Sequence, residues 1–171
     1  MNEPVRAAFG VRLARPGDAG AVTALLRASY PVSMAEAYPA EVLKLALPAM
    51  TRANERLLRS GSFYLAEGGG EVIGCGGWTA ERPDDGAVEP GLAHIRHFST
   101  RPDWGRRGVG RRIFEACMAQ ARGEGIRVFE CYASLNAVAF YAALGFRALG
   151  ERHIALTPKQ HITSMQMVRE L

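Results

Sequence analysis

The stretch Gly105-Arg106-Arg107-Gly108-Val109-Gly110-Arg111-Arg112 joins a segment of alternating polarity to an amphipathic one, and no other feature constrains the chain so strongly. Glycines at such a junction let the backbone turn sharply from a strand into a helix. The helix mouth then leaves several main-chain N–H groups without intrahelical partners, aimed the same way at the positive end of the helix dipole. That is a seat for phosphate. The arginines beside it add charge-assisted contacts, so the junction points to a ligand carrying a pyrophosphate.

Upstream of the junction, Leu92 to Arg101 alternates. The spacing predicts a strand with Leu92, His94, Arg96, Phe98 and Thr100 on one face, and Ala93, Ile95, His97 and Ser99 on the other. Ser62–Glu67 and Glu71–Ala80 bracket Gly68-Gly69-Gly70, a loop of hairpin length. Gly74, Gly76 and Gly77 inside the second of these strands imply a bulge, or a close approach by a ligand or another backbone. Earlier still, Val11–Ala14 reads as a first strand. Asp18 is placed to cap a helix that Tyr30-Pro31 ends. A second helix starts near Pro39 and is kinked or divided at Pro48, with Leu57 and Leu58 in its continuation.

Downstream, Val109, Ile113, Ala116, Cys117 and Ala121 form a helical stripe closed by Gly123 and Gly125. Arg127–Tyr132 is another strand. Ser134 is a suitable N-cap for a helix carrying Ala137, Phe140, Tyr141 and Leu144, and Gly145 stops it. Phe146–Leu156 and His161–Val168 are closing strands. The order is β-α-α-β-β-β-α-β-α-β-β. Strands in series before a helix argue against a doubly wound sheet, in which the two alternate throughout. The expectation is one α/β domain over residues 1–171, a mixed sheet with helices on both faces.

The chain of 171 residues is 48% hydrophobic and 22% charged, which supports an ordinary core without staples. A net charge of +4 suits an anionic ligand. Nucleic acid is disfavoured because no other basic run interleaved with aromatics accompanies the 101–112 cluster. Cys75, Cys117 and Cys131 stand alone, without C-x-x-C pairing or histidine at ligand spacing, so neither a metal nor a disulfide framework is expected. No segment approaches the ~18 uninterrupted apolar residues of a membrane span, and Met1–Gly10 lacks the apolar region of a signal peptide. A cytoplasmic location is the expectation.

Two familiar phosphate loops fail here. A Walker A loop needs Gly-Lys followed by Ser or Thr, whereas Gly110 is followed by Arg111 and Arg112. A dinucleotide fingerprint begun at Gly108 would demand glycine at Ile113, where the helix needs a core residue. Thr100-Arg101-Pro102-Asp103-Trp104 followed by Arg106-Arg107-Gly108-Val109-Gly110-Arg111 instead resembles the acetyl-CoA pyrophosphate motif of the GNAT acetyltransferase superfamily. Ser134-Leu135-Asn136-Ala137-Val138-Ala139-Phe140-Tyr141-Ala142-Ala143-Leu144-Gly145-Phe146 resembles that family's second signature. Two departures stand out. Gly105 occupies a place where the family has Gln or Arg, and Ser134 one where it often has Asn, with Asn136 two positions later.

The resemblance implies a GNAT-like fold with splayed central strands, and acetyl-CoA lying between the strands that end near Thr100 and Tyr132. Phe98, Ser99, Thr100, Arg106, Arg107, Gly108, Val109, Gly110 and Arg111 would bind it, with Ser134 or Asn136 on the pantetheine arm. The Phe98 N–H is the implied oxyanion donor, Tyr141 the implied general acid, and His94, taken to share a strand face with Thr100, the implied base. His97 is placed on the other face, His153 and His161 have no supporting motif, and the orientation of Glu130 is left open. No metal is implied. The expected reaction is acetyl transfer to a primary amine, chiefly of a small molecule, in a ternary complex. Acetylation of a protein or an aminoacyl-tRNA, and a non-catalytic acyl-CoA sensor, are the alternatives. Tyr30, Met34, Tyr38, Trp78 and the 81–91 loop, whose acids could attract a cation, are placed near the acceptor, and a homodimer is compatible with the reading.

Overall fold

The computed structural model describes residues 8–171. Met1 to Ala7 of the expected domain, and that part of the segment read for a signal peptide, lie outside the described residues. Seven strands form one mixed sheet in the order β1-β2-β3-β4-β5-β7-β6. They are β1 (Phe9–Leu13), β2 (Phe63–Gly68), β3 (Glu71–Thr79), β4 (Leu92–Thr100), β5 (Val128–Ser134), β6 (Arg147–Thr157) and β7 (Gln160–Glu170). The helices are α1 (Ala19–Ser33), α2 (Ala40–Met50), α3 (Glu55–Arg59), α4 (Val109–Gly123) and α5 (Val138–Ala143). The element order is the expected one, with the second helical stretch divided.

Four details of the helical segment between β1 and β2 differ from the sequence reading. Pro31 does not end α1; it sits in the last turn, and the helix runs to Ser33. Pro48 likewise stays inside α2, and the break comes after Met50. Leu57 and Leu58 belong to a separate helix whose start is fixed by Asn54, which accepts from the N–H groups of Arg56 and Leu57 at 3.0 and 3.3 Å. Asp18 is not a side-chain cap for α1. Its carboxylate is occupied by Arg12 at 2.8 Å and by the Arg15 N–H at 2.7 Å, which ties β1 to the turn before the helix.

Two layers cover the sheet. On one side α4 packs Val109, Ile113, Phe114, Cys117 and Ala121 against Ala66, Trp78, Ala93, Ile95 and Phe129. On the other, Val22, Leu25 and Leu26 of α1 join Leu57, Leu58, Leu65 and Cys75. All three cysteines are buried inside this packing and none is paired.

Strand β4 pairs with β5 in parallel only from Leu92↔Val128 to His94↔Glu130, and beyond those residues the two strands part. β5 continues in register with β7 as far as Ser134↔Ser164, and β4 continues with β3 as far as Gly74↔Thr100. The parting therefore opens a wedge inside an otherwise continuous sheet.

The three glycines of β3 have separate steric reasons. A Cβ at Gly74 would lie 2.6 Å from a Val109 methyl, one at Gly76 would lie 2.6 Å from the Phe98 ring, and one at Gly77 would lie 2.5 Å from the Ser62 carbonyl. They let α4, the Phe98 ring and the β2 backbone each sit closer to β3 than any side chain would allow.

Candidate active site

A cavity of about 440 Å³ fills the wedge. Phe98, Ser99 and Thr100 line one wall, and Cys131, Tyr132, Ala133 and Ser134 the other. Tyr141 and Phe140 enter from α5, while Tyr30 enters from α1 and Met34 from just beyond its end. Residues from both layers meet in one cavity because the parted strands leave a passage through the sheet.

The face assignment of β4 needs correcting. Cys75 pairs with Ser99 but Gly77 pairs with Arg96, so His97 and Phe98 together oppose the single residue Gly76. That is a β-bulge. His97 takes it up with φ of 49°, and its carbonyl turns to accept from the Cys75 thiol at 3.2 Å. Each side of the bulge keeps its own alternation, so Thr100 shares a face with Gly74 and Ile95, whereas His94 shares one with Thr79 and Glu130. His94 and Thr100 lie on opposite faces. Periodicity alone cannot reveal an extra residue in a strand; the glycine opposite the bulge was its one trace in the sequence.

Beyond the bulge the main chain of β4 is turned outward at alternate positions. Arg101 donates its N–H to Ile73 of β3 at 2.8 Å. By alternation Ser99 also faces β3, which leaves the polar groups of Phe98 and Thr100 directed at the wedge, where no strand pairs with them.

The turn after β4 is anchored from below. Trp104 is buried, its ring 6.4 Å from Phe9 and edge-on to it, and Arg107 stacks over the indole at 4.8 Å. Arg106 takes φ of 59° and Gly108 takes φ of 80°. Gly108 is the N-cap of α4, and no side chain caps that end. Arg112 is the first to donate into the helix, to the Gly108 carbonyl at 3.0 Å. The N–H groups of Val109, Gly110 and Arg111 are therefore left at the mouth. Arginines are fewer here than the sequence implied. Arg112 lies over Phe9 and donates to its carbonyl, and Arg101 is committed to Glu71 and Asp103. Arg106 and Arg111 have no acidic partner among the described residues.

Tyr141 is 6% exposed, and burial raises its phenol well above the usual range, so it is a proton donor at any ordinary pH. Tyr30 is raised in the same way by the same cause. His94 is 2% exposed and does not line the cavity. Its Nδ1 stands 3.3 Å from Glu130 Oε1 without hydrogen-bond geometry, and the other carboxylate oxygen accepts from Gln166 at 2.8 Å. Desolvation holds the imidazole below its ordinary pKa despite the neighbouring carboxylate. His97 does line the cavity, and burial brings it down to about 4. Ser134 and Asn136 both border the cavity, with Ser134 at the end of β5 and Asn136 on the turn that follows.

Of the residues placed near an acceptor, Tyr30, Met34 and Pro83 line the wedge. Tyr38 does not; its hydroxyl donates to the Thr163 carbonyl at 2.6 Å and accepts from the Leu135 N–H at 2.8 Å. Trp78 belongs to a second cavity. The acids of the 81–91 loop are largely neutralised, with Asp85 and Glu89 on Arg82 and Asp84 on Arg152. Tyr132, under the stacked guanidinium of Arg152 at 4.2 Å, and Cys131 were not singled out by sequence.

The profile of the acetyltransferase (GNAT) family matches residues 21–146. The chain belongs to the GNAT acetyltransferase family. The match spans both quoted motifs and the two strands that part to form the wedge, and membership supports acyl transfer from acetyl-CoA. Among solved structures, a GCN5-related N-acetyltransferase from Rhodopseudomonas palustris superposes with a TM-score of 0.77 at 21% identity, covering 99% of this chain and all of its own. The PaiA N-acetyltransferase of Thermoplasma acidophilum, solved with coenzyme A, gives 0.72 at 15% identity over 96% of this chain and 99% of its own. N-acetylglutamate synthase of Neisseria gonorrhoeae, solved with coenzyme A and N-acetyl-glutamate, gives 0.60 at 19% identity, with 96% of this chain and 35% of that one covered. At these identities the likeness is one of fold. No curated protein matches the sequence. No helix among the described residues is long and apolar enough to cross a membrane, and no group of side chains there is fit to hold a metal ion.

Proposed function

We propose that this GNAT domain transfers an acetyl group from acetyl-CoA to a primary amine of a small molecule by direct attack in a ternary complex. The observation that carries the reading is the wedge itself. Unpaired main-chain groups of Phe98 and Thr100, uncapped N–H groups at the α4 mouth and the Tyr141 phenol all border a single opening.

The chain fits a coenzyme A thioester at each part of that opening. The N–H groups of Val109, Gly110 and Arg111 take the pyrophosphate, with Arg106 and Arg111 for charge. The β4 edge at Phe98 and Thr100 takes the pantetheine amides as an added strand would, and Ser134 and Asn136 flank it on the other side. The Phe98 N–H supplies the oxyanion contact; a preorganised donor of this kind contributes about 3 kcal/mol in comparable sites.

Attack by the neutral amine forms the new C–N bond, and collapse breaks the C–S bond. The thiolate leaves into an apolar wall formed by Phe98, Phe140 and Ala133, which raises the proton affinity of sulfur along with that of the phenol. Tyr141 then protonates or hydrogen-bonds it. The amine's proton leaves to water, because His94, the expected base, is 2% exposed and does not line the cavity. The site of action is proposed to be the cytoplasm.

The test is release of free thiol from acetyl-CoA across a panel of small amines. Turnover that saturates in both substrates without a detectable acetyl-enzyme supports the reading. Binding of acetyl-CoA with no acceptor found in any class, proteins included, would leave a sensor in its place.

A further inference from the structure

A second cavity of about 710 Å³ lies beside the wedge, and Arg96 and Pro83 border both. Its wall carries two guanidinium groups that no carboxylate engages among the described residues. Arg96 is half-buried, its one side-chain hydrogen bond being to the Thr79 hydroxyl at 3.1 Å, and it forms no ion pair with a carboxylate among the described residues. Arg56, exposed and in no ion pair among the described residues, adds a second cation to the lining.

A guanidinium removed from water without a carboxylate is costly, and the arrangement becomes favourable once an anion arrives. Two acids on the same wall, Glu81 and Glu124, limit the charge of that anion. Burial already holds the Arg96 guanidinium below its ordinary pKa, with Glu81 the main influence the other way. A dianionic phosphate would face both acids, whereas a carboxylate matches one planar cation.

We propose that Arg96, half-buried where the two cavities adjoin, receives a carboxylate carried by the acceptor. The preferred acceptors are then amino-acid-like: a primary amine and a carboxylate in one small molecule, the amine reaching into the wedge while the carboxylate stays in the adjoining cavity. This rests on the acetyl-transfer reading given above.

The experiment pairs each amino acid with its own decarboxylated amine: β-alanine with ethylamine, L-histidine with histamine, L-phenylalanine with phenethylamine. Ethanolamine phosphate and ethanolamine serve as the phosphate arm. The expected result is kcat/KM higher by about tenfold or more for at least one acid over its partner, carried by KM. Arg96→Gln should shrink that ratio to near one by raising KM for the acid, and Arg96→Lys should restore part of it. Equal rates within every pair, or preference for the phosphate, would overturn the proposal while leaving acetyl transfer intact. If no amine releases thiol, the transfer reading fails, and binding decides the proposal. Titration calorimetry with the same carboxylates in the presence of coenzyme A should then show saturable binding, and Arg96→Gln should abolish it. A flat titration would sink it.

Discussion

Gly110 and Phe140 touch so closely that a Cβ on Gly110 would lie 2.9 Å from two carbons of the Phe140 ring. One residue belongs to the phosphate-binding turn and the other to the helix that carries Tyr141, so this contact fixes the distance between the two ends of the wedge. Gly110→Ala satisfies helix propensity but forces Phe140 aside. Overpacking of this kind costs about 1–3 kcal/mol. The expected result is a lower melting temperature together with a raised KM for acetyl-CoA, both measured on the purified protein. An unchanged KM would show that the ring yields without moving the turn.

Tyr141→Phe separates chemistry from packing. The ring sits edge-on to Phe146 at 5.4 Å and to Phe140 at 5.1 Å, contacts that phenylalanine keeps. No hydrogen bond to the hydroxyl contributes to the shift of its pKa, which burial dominates. Stability should therefore hold, and coenzyme A affinity with it. Turnover should fall about 10²-fold if the phenol supplies the leaving group's proton. Equal kcat in the two proteins would remove that role.

Much of this was readable from residue order. Strands in series before a glycine-arginine turn identified a mixed sheet, and the two motifs placed the wedge between β4 and β5 before any coordinates. What could not be read has common physical causes. The bulge at His97 reverses the face of everything after it, and one extra residue leaves no mark on a period of two. The ends of α1 and α2 were misplaced because proline in a final turn forfeits one hydrogen bond yet is tolerated where packing holds the helix. The cation wall around Arg96 is assembled from α3, β3, β4 and the 81–86 segment, and only the fold brings those together.

Acid sensitivity should report on the bulge. His97 is brought from 6.5 down to about 4, and desolvation is the main cause. Between those values the unfolded chain binds a proton that the folded one refuses, so the unfolded state gains and stability falls as pH drops. Above about pH 6.5 the loss vanishes, and below about pH 4 it grows no further; its full size is about 3 kcal/mol. His94 is shifted in the same direction and adds to the slope. Carboxylates such as Asp18 and Asp103 are held below 3.8 and contribute at lower pH. His97→Asn keeps a residue that tolerates φ of 49° and removes the titration. Urea midpoints of the two proteins should converge at neutral pH apart from a constant offset and diverge in slope between pH 6.5 and pH 4. Parallel slopes would mean that the ring is solvated in solution.

Tyr38 offers the opposite kind of test, a residue expected near the acceptor that the fold uses as a strut. Its hydroxyl links the Thr163 carbonyl of β7 to the Leu135 N–H, just where the chain leaves β5 for α5. Tyr38→Phe leaves a buried carbonyl and a buried amide without that partner, a loss of about 1–3 kcal/mol. Since Leu135 begins the turn that carries Asn136 and leads to Tyr141, the defect should reach the wedge as well. The expected outcome is a lower urea midpoint with faster amide exchange at Leu135 and Asn136, while KM for the acceptor stays unchanged. A raised acceptor KM with stability intact would reverse the assignment and return Tyr38 to the substrate pocket.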